Sequence, residues 1–489
     1  MSRPTLTQAS QWRPEALRRL ADSWDETARV IHAHVVAASR AGQDTGPVWA
    51  GASGDAARHD AKAFAVNGDA VARALVLAAV AARDGAEQIT VAKSDVAARV
   101  DVARAEGFLV GDDGSVVPDA APSTLLITLS GNDVGVAAQM LVGRATVLSG
   151  QIADGLDRLG NADDDAALDI REALQSVSRT ADTALGNTDG VPWDVRIGAN
   201  RTNIAQAIVE HLGDRTASGR NGFYRGLLGE VDDPAGSGQR IDRKILAFDP
   251  GRDSLVELNG ELGVATSVAV LVPGMNTTIE GSAANTRTAR QLVSATRGEV
   301  AAITYLGGPF PEDGSMVGAL VEAASPRFAM DMAPRLVAFS RDVDAAVDAT
   351  GLAIPVTYVG HSYGGAILGT AEAMGLTADR TLYAAAAGAG LGVEGPEDWH
   401  NRNPDVLRFS ITAPGDPIQL VQGIPGGPHG ADPDEMPGVI HLATGRYDDG
   451  RLMAGPRAHT DVVNATGSDA WRNVLAVITG DRAHIVLAG

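Results

Sequence analysis

The run Pro355-Val356-Thr357-Tyr358-Val359-Gly360-His361-Ser362-Tyr363-Gly364-Gly365 limits the folds open to this chain more than any other stretch. A short apolar strand ends in Gly-x-Ser-x-Gly and passes directly into a helix that runs from Tyr363 through Ala373. A strand-to-helix turn this tight leaves no room for side chains at Gly360 and Gly364. It also requires helices layered on a sheet. Ser362, held at such a turn, projects its hydroxyl above the sheet edge. The first N–H groups of the helix then point at the place where an oxyanion would form. The chain holds 57 glycines, yet the pattern occurs once, in the strand-turn-helix context that gives it meaning.

The residues around this run extend the same architecture. From about residue 240, apolar stretches at 244–248, 267–272, 299–305, 356–359, 380–385, 406–412 and 439–443 read as strands. Helical patterns near 284–296, 326–349, 363–375 and 468–479 alternate with them. Apolar strands buried on both faces, separated by helices, imply a mostly parallel sheet in three layers, the arrangement of an α/β-hydrolase.

A serine hydroxyl attacks only when a base removes its proton, and that base must itself be oriented. In this fold the order along the chain is Ser, then Asp or Glu, then His. Asp416, in Ala413-Pro414-Gly415-Asp416-Pro417, lies at the exit of the 406–412 strand and is the candidate acid. Downstream stand His429, His441, His459 and His484. His441 falls inside a predicted strand and His484 in the C-terminal tail. His429 lies on a Gly-Pro loop. His459, just before the final helix, occupies the place where a catalytic histidine belongs, with His429 as its competitor. For the oxyanion, the N–H of Tyr363 is one candidate donor. The turn Pro273-Gly274-Met275-Asn276 after the 267–272 strand supplies the other, Met275 first and Asn276 behind it.

Composition excludes several other chemistries. There is no cysteine, so disulfides, thiolate nucleophiles and cysteine-ligated metals are absent. Forty basic residues against 61 acidic ones give a formal charge of −21, which repels a phosphate backbone and argues against nucleic-acid binding. Gly388-Ala389-Gly390-Leu391-Gly392-Val393 lacks the third glycine of a dinucleotide fingerprint. His429, Asp432, Asp434 and Glu435 match no standard metal spacing. No cofactor is expected. The N-terminus has no apolar core of the signal-peptide kind. The longest uninterrupted small-apolar run, Ala74 to Ala82, is far short of the roughly 20 residues of a membrane span. The expectation is a soluble protein without a transmembrane segment, cytoplasmic unless exported by a signal-peptide-independent route.

The front of the chain is helical. Leu17, Leu20, Trp24, Ile31 and Val35 mark one stripe, and Phe64, Val71, Leu75, Ala78, Ala82, Ile89 and Val96 mark a second. Gly42-Gln43-Asp44-Thr45-Gly46-Pro47 breaks them, followed by Trp49-Ala50-Gly51, so a helical hairpin is expected. Trp-x-Gly in that turn makes residues 5–105 resemble the WxG-type proteins associated with type VII secretion. That resemblance implies export by such a system and a helical-hairpin partner or self-association. The family's Tyr-x3-Asp/Glu export signature is missing, however. Gly111-Asp112-Asp113-Gly114 predicts a β-hairpin. Helices follow at about 132–158 and 165–187, with Asn161-Ala162-Asp163-Asp164-Asp165 read as the turn between them. The domains read as 1–105, 106–188 and 189–489.

Residues 190–480 resemble an actinobacterial α/β-hydrolase family formerly known as a domain of unknown function. The matching stretches are Val191-Pro192-Trp193-Asp194-Val195-Arg196 with Ala199-Asn200-Arg201, Ala247-Phe248-Asp249-Pro250, Val270-Leu271-Val272-Pro273-Gly274-Met275, Gly360-His361-Ser362-Tyr363-Gly364 and Asp416-Pro417-Ile418. The resemblance implies a triad of Ser362, Asp416 and His459. It departs at the histidine, where Ala458-His459-Thr460 replaces the usual Gly-His-Ser. Together these readings predict a serine hydrolase acting on an ester or thioester of a small or lipid acyl substrate. The competing expectation is a secretion-associated or partner-binding protein with a vestigial hydrolase half. A lid is expected at 309–326.

Overall fold

The computed structural model describes residues 3–178, 182–311, 325–424 and 427–488. They fall into two compact units. The first comprises Met1–Thr180 and Ala205–Gly229, the second Ala181–Ile204 and Glu230–Gly489. Most of the expected lid, 312–324, lies outside the described residues.

The first unit is helical. It contains α1 (Leu6–Gln11), α2 (Pro14–Asp44), α3 (Ala52–Ala105), the hairpin β1 (Phe108–Val110) and β2 (Val116–Pro118), α4 (Thr124–Leu129) and α5 (Val134–Gln175). The end of α6 (Trp193–Glu210) and all of α7 (Ser218–Leu228) also belong to it. The turn holding Trp49 and Gly51 separates α2 from α3 as expected. The seam differs from the predicted stripe. Ala21, Ala28 and Val35 are buried, whereas Leu20 and Phe64 are exposed. Small residues win because the helices approach closely. A Cβ on Gly68 would lie 2.3 Å from Val35 Cγ2, and one on Gly85 2.4 Å from Ala166 Cβ. Ile89, Val96 and Val100 of α3 pack with Leu148, Ile152, Leu156 and Leu159 of α5.

One expectation is corrected in this unit. The acidic run 161–165 is no turn, because α5 passes through it unbroken. Leu159, Ala162 and Ala166 stay buried at helical spacing through the run, and that burial outweighs the local cluster of carboxylates. Among the described residues, α3 is also long and apolar enough to cross a membrane by length and composition. Its apolar positions are interrupted by single polar residues, so no long uninterrupted run reveals this. The core helix of a soluble protein passes the same test; 33% of that apolar window is buried, and Ile89, Val96, Val100 and Ala103 of α3 belong to a packed core.

The second unit is built on an eight-stranded sheet. A small hairpin, β3 (Glu230–Asp232) with β4 (Arg240–Asp242), precedes it. The sheet strands are β5 (Lys244–Asp249), β6 (Ser254–Asn259), β7 (Ser267–Val272), β8 (Val300–Gly307), β9 (Val356–His361), β10 (Arg380–Ala384), β11 (Leu407–Ile411) and β12 (Val439–His441). Their order is β12-β11-β10-β9-β7-β8-β6-β5, with only β6 running against the rest. The helices are α8 (Ala283–Ala295), α9 (Arg327–Thr350), α10 (Tyr363–Ala373), α11 (Ala458–Asn464) and α12 (Asp469–Thr479).

Side-chain alternation assigns the helices to layers. Ala269, Val359, Leu382, Ala384, Phe409 and Ile411 face α8 and α12 in one core. Tyr305 and Tyr383 point to the other side, where Tyr305 packs on Phe339 of α9 and the Tyr383 hydroxyl donates to Glu372 of α10. β6 escapes the sequence reading because Glu257 interrupts its apolar pattern. That carboxylate is 1% exposed and accepts both arms of Arg243, at 2.8 and 2.7 Å, and the Thr286 hydroxyl at 3.0 Å. Burial alone would raise its pKa, but Arg243 and Arg290 hold it below the ordinary carboxylate range.

Candidate active site

Ser362 sits where β9 ends and α10 begins, with φ 55° and ψ −123°. A non-glycine residue rarely adopts such a backbone, and the surroundings hold it there. The Ser362 N–H donates to Ala384 O at 3.0 Å, and the Ser362 carbonyl accepts from Gly365 at 3.0 Å and Ala387 at 2.9 Å. The flanking glycines answer to close approach. A Cβ on Gly360 would lie 2.7 Å from Gly364 O, and one on Gly364 2.2 Å from Val272 O. Gly274 has the same constraint from the other side. Its Cβ would lie 2.7 Å from Ser362 Cβ and 3.1 Å from Oγ, so the turn after β7 abuts the serine directly.

Asp416 follows β11 and caps a short 3-10 turn, accepting the Ile418 N–H at 2.9 Å. His459 is the second residue of α11. Its Nε2 is 3.0 Å from Ser362 Oγ, and its Nδ1 is 3.0 Å from each oxygen of Asp416. Each ring nitrogen thus has one task. An Nδ1–H donating to the carboxylate leaves Nε2 bare to accept from the serine hydroxyl. Ser362 and Asp416 are buried, while His459 retains partial access to solvent.

The other histidines lie elsewhere. His429 is buried edge-on against the Tyr363 ring, 5.3 Å between centroids, so the position facing Ser362 Oγ is filled by His459. His484 pairs with Asp481. His441 does end a strand, β12, and its Nδ1 lies 3.1 Å from both Ser410 Oγ and Asp434 Oδ1. Among the described residues no group of three or more His, Asp or Glu gathers as for a metal ion.

The two oxyanion candidates on the upstream turn separate cleanly. The Asn276 N–H is committed to Pro311 O at 2.9 Å. Among the described residues, the N–H groups of Met275 and Tyr363 have no hydrogen-bond partner. The Tyr363 side chain has a separate task. Its hydroxyl donates to Ser325 O at 2.6 Å and accepts from the Ala329 N–H, and burial pushes its pKa up to about 12.

His361, the variable position of the Gly-x-Ser-x-Gly run, carries no functional signal in the sequence. Its Nε2 lies 2.7 Å from the carbonyl oxygen of His459, and the two rings are 5.1 Å apart. A carbonyl only accepts, so Nε2 carries the hydrogen. Desolvation, with the neighbouring His459 second, lowers the His361 pKa to about 4. The imidazole is therefore neutral at ordinary pH.

A family model agrees with this architecture. Residues 249–422 match a family described as alpha/beta hydrolase, a span that includes Ser362 and Asp416 and ends before His459. A crystal structure of TT1662 from Thermus thermophilus is similar at 16% identity over 42% of this chain and 90% of that one, with a TM-score of 0.23. No curated protein matches the chain. The eight-stranded unit is an α/β-hydrolase domain.

Proposed function

We propose that the protein is a serine hydrolase that cleaves an ester or thioester of a small or lipid acyl substrate through an acyl-enzyme. The observation that carries this reading is the placement of His459 between Ser362 and Asp416, one nitrogen to each at 3.0 Å. As Ser362 Oγ bonds to the acyl carbon, its proton passes to His459 Nε2. Asp416 holds the imidazole in the required tautomer and stabilises the imidazolium. The carbonyl π-electrons move onto oxygen, which the N–H groups of Met275 and Tyr363 receive. Collapse breaks the bond to the leaving group, which departs with the proton from Nε2. Water then enters by the same sequence and releases the acid and free Ser362.

The test is labelling by a fluorophosphonate, which reports an activated serine without knowledge of the substrate. The wild-type protein is expected to label and to hydrolyse short p-nitrophenyl esters, and Ser362→Ala to do neither. Equal hydrolysis by wild type and Ser362→Ala would overturn the reading.

A further inference from the structure

On the serine-hydrolase reading above, we infer that His361 is a positioning residue for the reaction: its Nε2–H holds the main chain of His459, so that the base is fixed relative to the serine adjacent in sequence. Two ties meet at the His459 turn. On the acid side, the Gly455 N–H donates to Pro414 O at 2.8 Å, joining the turn to the loop that carries Asp416. The Ala458 N–H closes that turn onto Gly455 O at 3.0 Å. On the nucleophile side, the tie is the His361 hydrogen bond to His459 O at 2.7 Å. His361 ends β9 in register with Ala384, whose carbonyl receives the Ser362 N–H. The sheet therefore fixes His361 and the serine together, and His361 passes that reference on to the base.

The chemistry suits a donor that is neutral and rigid. The imidazole is planar, stands on a sheet strand and has only two side-chain torsions, so little freedom remains to be lost. A neutral ring also places no positive charge 5.1 Å from the imidazolium that forms on His459 during the reaction. The His361 hydrogen bond goes to the His459 carbonyl and to neither the reacting oxygen nor the carboxylate, so its effect on rate passes through the placement of His459.

The experiment compares His361→Gln, His361→Asn and His361→Phe in the full chain. The readouts are the rate of fluorophosphonate labelling and the kcat and KM for a p-nitrophenyl ester. Glutamine places an amide N–H near the position of Nε2. Asparagine is one methylene too short, and phenylalanine keeps the ring but not the donor. The glutamine variant is expected to stay within about threefold of wild type. The asparagine and phenylalanine variants are expected to lose roughly 10- to 100-fold in labelling rate and kcat, with KM little changed, the scale of a misplaced catalytic group. Should the phenylalanine variant fail to unfold cooperatively, the glutamine–asparagine pair makes the same comparison between two polar amides. Folded asparagine and phenylalanine variants that label as fast as wild type would overturn the inference. So would equal loss in all three, which would assign the effect to the ring itself. A wild-type protein that does not label sinks the hydrolase reading instead, and the inference with it.

Discussion

Among the described residues of the α/β unit, two groupings bring together the same three residue types. Ser362, His459 and Asp416 form one; Ser410, His441 and Asp434 form the other. Burial does not separate them, since Ser362 is 3% exposed and Ser410 0%. The division of the imidazole does. His459 gives Nε2 to the serine and Nδ1 to the acid. His441 presents one nitrogen, Nδ1, to both partners at 3.1 Å. With serine and carboxylate on the same nitrogen, no acid orients the ring from its far nitrogen while the near one takes the serine proton. The backbones differ as well. Ser410 lies within β11, paired in register with His441 of β12, so its N–H and carbonyl serve the ladder. Ser362 stands at a strand exit beside the N–H groups of Met275 and Tyr363, neither of which has a hydrogen-bond partner among the described residues. Proximity of the right residues does not make a relay; the path of the proton and a place for the oxyanion do.

The largest test of this contrast is removal of each serine. Ser362→Ala is expected to lower kcat about 10⁶-fold on an activated ester, the scale of losing a triad nucleophile. Ser410→Ala is expected to remain within about threefold, because it only removes a hydroxyl from a sheet. Steady-state kinetics on both variants decides, and a comparable loss in Ser410→Ala would break the comparison. Next in size are the acids. Asp416→Asn should cost about 10⁴-fold in kcat through the wrong histidine tautomer, with the fold retained. Asp434→Asn should leave kcat unchanged, and circular dichroism checks that both remain folded.

Third is Gly274→Ala, which adds one methyl 2.7 Å from Ser362 Cβ. The elbow or the β7 turn must shift, displacing Met275 N–H and the serine from each other. A loss of roughly 100-fold in kcat is expected, against little change for alanine at Gly226, whose Cβ would meet nothing within 4 Å. Wild-type kcat in Gly274→Ala would show that the turn plays no part in the site.

Much of this was legible in the sequence, for identifiable reasons. The elbow was readable because strand, two glycines and helix adjoin one another locally. Asp416 and His459 were readable because each lies just beyond or just before an element with a clear pattern. His361 was not, because its role is a contact between residues 98 apart that no periodicity encodes. The second grouping stayed hidden likewise, since register between β11 and β12 brings Ser410 to His441. β6 was missed because a buried Glu257 looks polar until Arg243 and Arg290 are placed around it. The break wrongly placed at 161–165 has the opposite cause: local acidity is conspicuous, whereas the burial of Ala162 and Ala166 depends on the partner helix.

The smallest expected effect sharpens the contrast through the histidines beside the two groupings, because they couple pH to stability with opposite sign. His361 is desolvated and neighbours His459, so its folded pKa drops from 6.5 to about 4. The unfolded chain binds that proton more tightly, so the stability associated with neutral His361 is complete above about pH 6.5 and is lost as pH falls toward 4. His441 lies beside the carboxylate of Asp434, with Asp432 adding to it, and its folded pKa is raised. Its contribution is complete below about pH 6.5 and is lost as pH rises through the raised folded value. Urea midpoints measured from pH 4 to pH 8 should therefore diverge at opposite ends. Relative to wild type, His361→Gln should lose less stability on acidification, and His441→Gln less on alkalinisation. Parallel curves for the two variants would show that the histidines share one electrostatic setting, and the distinction between the groupings would then rest on nitrogen geometry alone.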